Sequence, residues 1–234
     1  MTHSGALIVL QARFASRRLP GKALALVGSR SILARCLDRL RMGSAAPVVL
    51  ATTTNAEDDA LAAVAEREDV PVVRGPENDV LHRFVMAAAR FGARYIVRAT
   101  ADNPAVDIDA PGRVLEMLVA TGADYVAESG LPYGCGVESI AADALRKADA
   151  LATSNYDREH VTPLIRREPL FRAIDIAAPA ALCRPHLRLT VDTLSDLAFM
   201  RRVMLELGNP ATEPTLAAVI HGAERLTSGV AKAV

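Results

Sequence analysis

The 234-residue chain sets 27 Lys and Arg against 27 Asp and Glu, so it lacks the excess of basic surface with which duplex nucleic-acid binders neutralise phosphates. Hydrophobic residues make up 51%, much of it Ala, yet no run approaches the ~20 apolar residues of a membrane span. The apolar stretch 6–10 is too short for a signal core. Cys36, Cys135 and Cys183 form neither a CxxC pair nor a Cys/His ligand set, which excludes a zinc knuckle or disulfide framework and points to the reducing cytoplasm.

Residues 6–10 (ALIVL) form a continuous apolar run, the pattern of a strand buried on both faces of a parallel sheet. A polar loop punctuated by Pro20 and Gly21 follows. The spacing of Ile32, Leu33, Cys36, Leu37 and Leu40 then predicts a helix over about 31–42. A strand is expected over 47–51. A helix is expected over 56–68, with Asn55 as its N-cap and acids in its first turn. The alternation continues with strand 70–74, helix 79–91, strand 94–99, helix 108–120 and strand 123–127. Strand–helix units repeated in this way predict an α/β fold, a Rossmann-like, mostly parallel sheet sandwiched by helices. Right-handed crossovers place the loops that follow the strands along one edge.

The rhythm breaks after residue 127. An irregular loop leads into a strand by 141, followed by a helix over 142–151, a polar helix over 157–168 and a strand over 170–177. Residues 128–180 read as a small insertion arm on a single domain 1–234, closing a substrate pocket or a dimer contact. A strand over 187–191, a helix over about 195–207 and one last helix with a loose tail complete the chain.

The densest chemistry follows the first strand, in Gln11-Ala12-Arg13-Phe14-Ala15-Ser16-Arg17-Arg18-Leu19-Pro20-Gly21-Lys22. Guanidinium groups bind phosphate oxygens in pairs, and backbone N–H groups of such a turn extend the cradle. Neither a Walker A loop nor GxGxxG is present. The segment reads as a polyphosphate loop of another kind, or else as a solvated basic loop.

Two aspartates follow strands. Asp102 lies past the strand at 94–99, and Asp192 ends a segment whose alternation puts Leu187, Leu189 and Val191 on one face and Arg188, Thr190 and Asp192 on the other. Carboxylates at that edge suit Mg²⁺, which takes one or two of them and fills its octahedron with water and phosphate oxygens. Each could instead cap the helix that follows. Thr52 and Thr53 stand equally well for hydroxyl contacts to a ligand or for capping helix 56–68.

Together these segments resemble the cytidylyltransferases of spore-coat polysaccharide biosynthesis, relatives of the CMP-sialic acid and CMP-Kdo synthetases. The resemblance rests on the loop 11–22 and on six further stretches in register. They are Ala51-Thr52-Thr53 with Glu57-Asp58-Asp59, Arg74-Gly75, Asp79-Val80-Leu81 with Arg83-Phe84, 97–102 with Pro104, 158–163 and 187–193. It implies transfer of CMP from CTP, with Arg13, Arg18 and Lys22 catalytic. It further implies a nucleotide site of Ala12, Arg13, Arg17, Lys22, Thr52, Arg74 and Asp79, and Mg²⁺ on Asp102 and Asp192. Glu138, Arg158, His160 and Arg188 fall to the acceptor side, although an ion-paired surface helix accounts for the charges at 158–167 equally. Relatives of this kind often pair, so a homodimer is expected.

Where relatives carry Gly-Leu-Asp-Val-Glu, this chain has Gly134-Cys135-Gly136-Val137-Glu138, and Asn103 replaces a more usual cysteine. Loss of the acid at 136 favours a small anionic acceptor, a sugar acid or a phosphonate. Two other readings remain at this level. One is a sugar transferase using a nucleotide-sugar donor, with Asp107-Ile108-Asp109 as its DxD. The other is a nucleotide-binding module without turnover.

Overall fold

In the computed structural model, which describes residues 4–43 and 46–231, the first half of the chain runs β1 (Ala6–Gln11), β2 (Leu26–Val27), β3 (Arg30–Ser31), α1 (Ile32–Met42), β4 (Val48–Thr53), α2 (Asp59–Arg67), β5 (Val72–Gly75), α3 (Val80–Arg90) and β6 (Tyr95–Thr100). It continues with α4 (Ala110–Thr121), β7 (Tyr125–Ser129), β8 (Glu138–Ala141), α5 (Ala142–Leu151), α6 (Asn155–His160), α7 (Pro163–Arg167), β9 (Ala173–Ala177), α8 (Leu194–Glu206) and α9 (Leu216–Ala231). Among the described residues one seven-stranded sheet has the order β5-β4-β1-β6-β8-β7-β9. β1 is parallel to β4 and β6, and only β8 runs against its neighbours. The expected α/β sandwich is therefore present.

Alternation along β1 explains the two-sided core. Ile8 and Leu10 pack with Ile32, Leu33 and Leu37 of α1, whereas Leu7 and Val9 pack with Leu81 and Phe84 of α3. Each fully buried Leu or Phe contributes about 1.5–3 kcal/mol of transfer free energy. Caps set the helix starts: Ser31 accepts the Ala34 N–H at 3.2 Å, Asp79 accepts that of His82 at 2.9 Å, and Thr193 forms a capping box with Asp196 on α8. Each such cap is worth ~1 kcal/mol.

Three local expectations are corrected. The polar helix expected over 157–168 splits into α6 and α7, because Val161 takes φ 71° and Pro163, which has no N–H to give to the preceding turn, opens α7 instead. The helix expected over 56–68 opens as a 3-10 turn, and the Asn55 side chain caps nothing. The segment 187–191 is extended but lies outside the sheet, with a single bridge from Arg188 to Tyr133. Its neighbours are loops: the Tyr133 N–H donates to Leu187 O at 2.8 Å, and the Val191 N–H to Asp102 O at 2.8 Å. Leu187, Leu189 and Val191 are buried as the alternation demands, but so is Thr190.

Residues 128–180 supply β8 and β9 to the sheet, and α5 and α6 to the layer around α3. No helix among the described residues is long and apolar enough to cross a membrane. All three cysteines are free.

Candidate active site

A cleft of about 640 Å³ opens where β1 and β6 end. One wall is the loop after β1, through Ala12, Arg13, Ser16, Arg17, Arg18 and Lys22. Its course is held at both ends. The Ala12 N–H donates to Ala51 O at 3.1 Å and the Gly21 N–H to Phe14 O at 2.9 Å. The Phe14 N–H donates to Oδ1 of Asp58 at 2.7 Å. Gly21 has φ 69°, and a Cβ there would stand 3.0 Å from the Phe14 ring, so both the turn and the packing call for glycine.

Lys22 reaches from this wall to Asp102, just past β6, and to Asp192, which follows the segment 187–191. Its Nζ lies 3.0 Å from Oδ2 of Asp102 and 2.8 Å from Oδ1 of Asp192. Arg18 and Arg188 approach the other Asp192 oxygen at 3.0 and 2.6 Å. Burial pushes the Asp192 pKa up, but the hydrogen bond and charge of Lys22, with help from Arg188 and Arg18, hold it below the usual carboxylate range. Neither aspartate is spent as a helix cap, since Thr193 caps α8 and Asp102 lies in a turn, well before the Asp109 N-cap of α4.

Two carboxylates that share one ammonium converge closely enough to share a divalent cation. Among the described residues no group of three or more His, Cys, Asp or Glu forms a complete metal cage. That donor set is what Mg²⁺ uses beside phosphate and water, so the residues fit the ion.

The opposite wall is Glu159 and His160 at the end of α6, with Tyr133, Gly134 and Gly136. Arg13 crosses the cleft to Glu159 at 2.7 Å. The His160 ring stands 4.5 Å from that of Tyr156. Gly134, at φ 94°, lies so close to Thr190 that a Cβ would come within 2.8 Å of its backbone nitrogen. Asn103, at the position where a cysteine is usual, donates to the Thr100 hydroxyl at 2.7 Å.

Ala12, Arg13, Arg17, Arg18, Lys22, Asp102, Asp192 and His160 thus meet in one cleft; six other anticipated contacts do not line it. Thr52 is fully buried and its hydroxyl donates to Asp58 at 2.9 Å, which removes it from direct ligand contact. Arg74 is spent on Thr53 O, Asn55 O and Asp59. Asp79 caps α3 and accepts from Arg158 at 3.2 Å. Arg158 itself ties α6 to Asp149 and Ala152 at the end of α5. Glu138 is occupied by Arg98 at 2.5 Å, the Tyr125 hydroxyl at 2.6 Å and the Thr162 hydroxyl at 3.1 Å. Arg188 touches Asp192 and lies over the Tyr133 ring, 4.9 Å from its centroid.

Gln11, Arg83, Arg98 and Asp58 lie in the stretches that carry the resemblance, but the sequence assigned them no role in the site. Gln11 and Arg98 stand at or near the ends of strands that meet the ligand edge, the physical signal for such a role. Asp107 of the DxD-like triplet is buried against Arg113 at 2.5 Å and does not line the cleft.

The family profile of the cytidylyltransferases matches residues 7–212. The chain is 38% identical over 190 residues to an uncharacterized protein of Methanocaldococcus jannaschii, covering 80% of this chain and 78% of the relative. It is 32% identical over 209 residues to the spore coat polysaccharide biosynthesis protein SpsF of Bacillus subtilis, covering 86% and 87%. A solved structure of a cytidylyltransferase from Leptospira borgpetersenii superimposes with a TM-score of 0.89 at 26% identity, covering 97% of this chain and 96% of that one. With a parallel sheet, a cationic loop after its first strand and a family match over most of its length, this chain belongs to the cytidylyltransferase family of nucleotidyltransferase enzymes.

Proposed function

We propose that the enzyme moves CMP from CTP to a small anionic acceptor and releases pyrophosphate, with Mg²⁺ as its metal ion. The observation that carries this reading is the Lys22 ammonium seated between Asp102 and Asp192, in one cleft with Arg13, Arg17 and Arg18. Cations of the loop and the carboxylates of Asp102 and Asp192 are already within reach of one another, and a metal–triphosphate complex can exchange into both sets.

Bound to Asp102 and Asp192, Mg²⁺ supplies Lewis-acid charge and a template for phosphate oxygens. The chain's own groups do the rest. Arg13, Arg17, Arg18 and Lys22 bind the triphosphate and stabilise charge on the departing end. An acceptor oxygen forms its bond to the α-phosphorus as the α–β bridge breaks, and the electron pair leaves on pyrophosphate. Carboxylate, phosphate or phosphonate oxygens are ionised at neutral pH, so no proton has to move. Holding attacking and leaving oxygens in line is the main task, as in phosphoryl transfers generally. Gly136 in the cleft wall adds no negative charge beside such an acceptor, which favours an anionic one.

The test is pyrophosphate release from CTP with Mg²⁺ against sugar acids, sugar phosphates and simple phosphonates. Release that depends on both CTP and an anionic acceptor is expected. Release of UDP or GDP from a nucleotide sugar, or CTP binding without turnover across the panel, would overturn the reading.

A further inference from the structure

The cleft holds a second polar patch, on the α3 face of the sheet and opposite the turn that carries Lys22. Across the β1–β6 pairing Val9 faces Arg98 and Gln11 faces Thr100. Val9 packs with Leu81 and Phe84 of α3, so Gln11, Arg98 and Thr100 point to the α3 side. Arg83, one turn into α3, completes the patch, and all four line the cleft. The turn that carries Lys22 packs against α1, on the opposite face.

Three of these residues hold a buried polar atom with no partner: Oε1 of Gln11, Nε of Arg83 and Nε of Arg98. Buried polar atoms are nearly always satisfied in folded proteins, and clusters of exceptions ask for a ligand. Arg83 is the sharpest case. It is 1% exposed and donates only to the carbonyls of Pro76 and Glu77. No carboxylate among the described residues lies within ion-pairing distance of it. Burial, and then the charge of Arg13, weigh against its protonated form. Asp58, Asp79 and Glu77 favour the charged form from a distance, but none pairs with it directly, and a buried cation with no direct partner is expensive to keep. Arg98, by contrast, is pinned by Glu138, and both oxygens of that carboxylate are taken, so Glu138 acts as a positioning residue.

The nucleoside of CTP is neutral, and its triphosphate is met by the loop 11–22, whose Lys22 turn lies on the α1 side. The leftover cation must answer to the other substrate. We infer that Arg83, Arg98 and Gln11 form an anchoring subsite for a second ionised oxo-acid group of the acceptor, remote from its attacking oxygen. Gln11 accepts from a hydroxyl or amino group beside that anion. The inference rests on the CMP-transfer reading of the cleft and deepens it: the acceptor is bifunctional, and a neutral sugar is rejected because it leaves Arg83 unpaired.

Isothermal titration tests this on the whole protein loaded with Mg²⁺ and the non-cleavable analogue α,β-methylene-CTP. Methylphosphonate and acetate are the probes, in separate arms. Arg83→Gln and Gln11→Leu are expected to weaken the better-bound probe by about tenfold or more, the loss of a charge-assisted or buried hydrogen bond, while analogue binding stays within about threefold. Thermal melting checks the fold, and Arg83→Lys serves if either variant does not fold. In the wild type the arginine Nε–H resonances should move on adding methylphosphonate or acetate. Unchanged probe binding in the variants, no saturable probe binding to the loaded wild type, or equal loss of analogue binding in both variants would overturn the subsite. Failure of the wild type to bind the analogue, with probe binding still dependent on Arg83, would instead sink the CTP reading and leave the anion site standing.

Discussion

Asp58 accepts the backbone N–H of Phe14 at 2.7 Å, and this bond ties the cationic loop to the segment that follows β4. The same carboxylate takes the Thr52 hydroxyl at 2.9 Å, the Thr53 N–H at 3.0 Å and the Thr53 hydroxyl at 2.5 Å. Burial pushes its pKa up, but these donors, the Thr53 hydroxyl foremost, outweigh burial and hold it below the ordinary value of 3.8. Asp58→Asn should lower stability by about 1.5–3 kcal/mol in urea denaturation, and slow CTP turnover by loosening the loop. A depressed folded-state pKa contributes stability that is full above the unfolded value and is lost as pH falls through the folded one. The gap between variant and wild type should therefore shrink on acidification below the unfolded-state value.

Lys22 stands where a divalent ion would neutralise Asp102 and Asp192. Lys22→Met leaves two carboxylates facing each other, so Mn²⁺ alone, followed by its electron paramagnetic resonance, should bind about tenfold more tightly in the absence of nucleotide. Pyrophosphate release from CTP should fall by at least about tenfold, because the ammonium no longer reaches the triphosphate.

Glu138 holds Arg98 at 2.5 Å, both side chains being 17% exposed. Glu138→Gln breaks a partly buried pair, and thermal denaturation should show a loss toward the lower end of the about 3–5 kcal/mol typical of buried ones. The acceptor KM should rise while the CTP KM holds, the split expected when a guanidinium on the acceptor side loses its orientation.

Thr52 supplies a hydroxyl to Asp58 rather than to a ligand. Thr52→Val should cost about 1 kcal/mol of stability and leave the CTP KM unchanged in steady-state assays. Arg17, which lines the cleft, should behave in the opposite way: Arg17→Ala raises the CTP KM and leaves the melting temperature alone.

The sequence carries some of these contrasts and not others. The strand ending at Gln11, the helix over 142–151 and the convergence of the loop 11–22 with Asp102 were legible, because apolar periodicity and the edge rule for parallel sheets are local or topological facts. Segment 187–191 shows where that stops. Its alternation correctly buries Leu187, Leu189 and Val191, yet periodicity carries no information about whether a sheet neighbour exists. Thr52 shows a second limit, since a hydroxyl at a strand end looks the same whether it meets a substrate or a buried Asp58. Arg83 shows a third: its position in an amphipathic helix is plain, but the lack of a direct ion pair to it is a tertiary fact.

The central claim is that the loop cations and the pair Asp102–Asp192 hold one metal–triphosphate. The most direct measurement is the enhancement of CTP ³¹P relaxation by enzyme-bound Mn²⁺, in the wild type, Asp102→Asn and Asp192→Asn. The account predicts strong relaxation of the phosphates in the wild type and its collapse in both variants. Undiminished relaxation in the two variants, with CTP still bound, would contradict it.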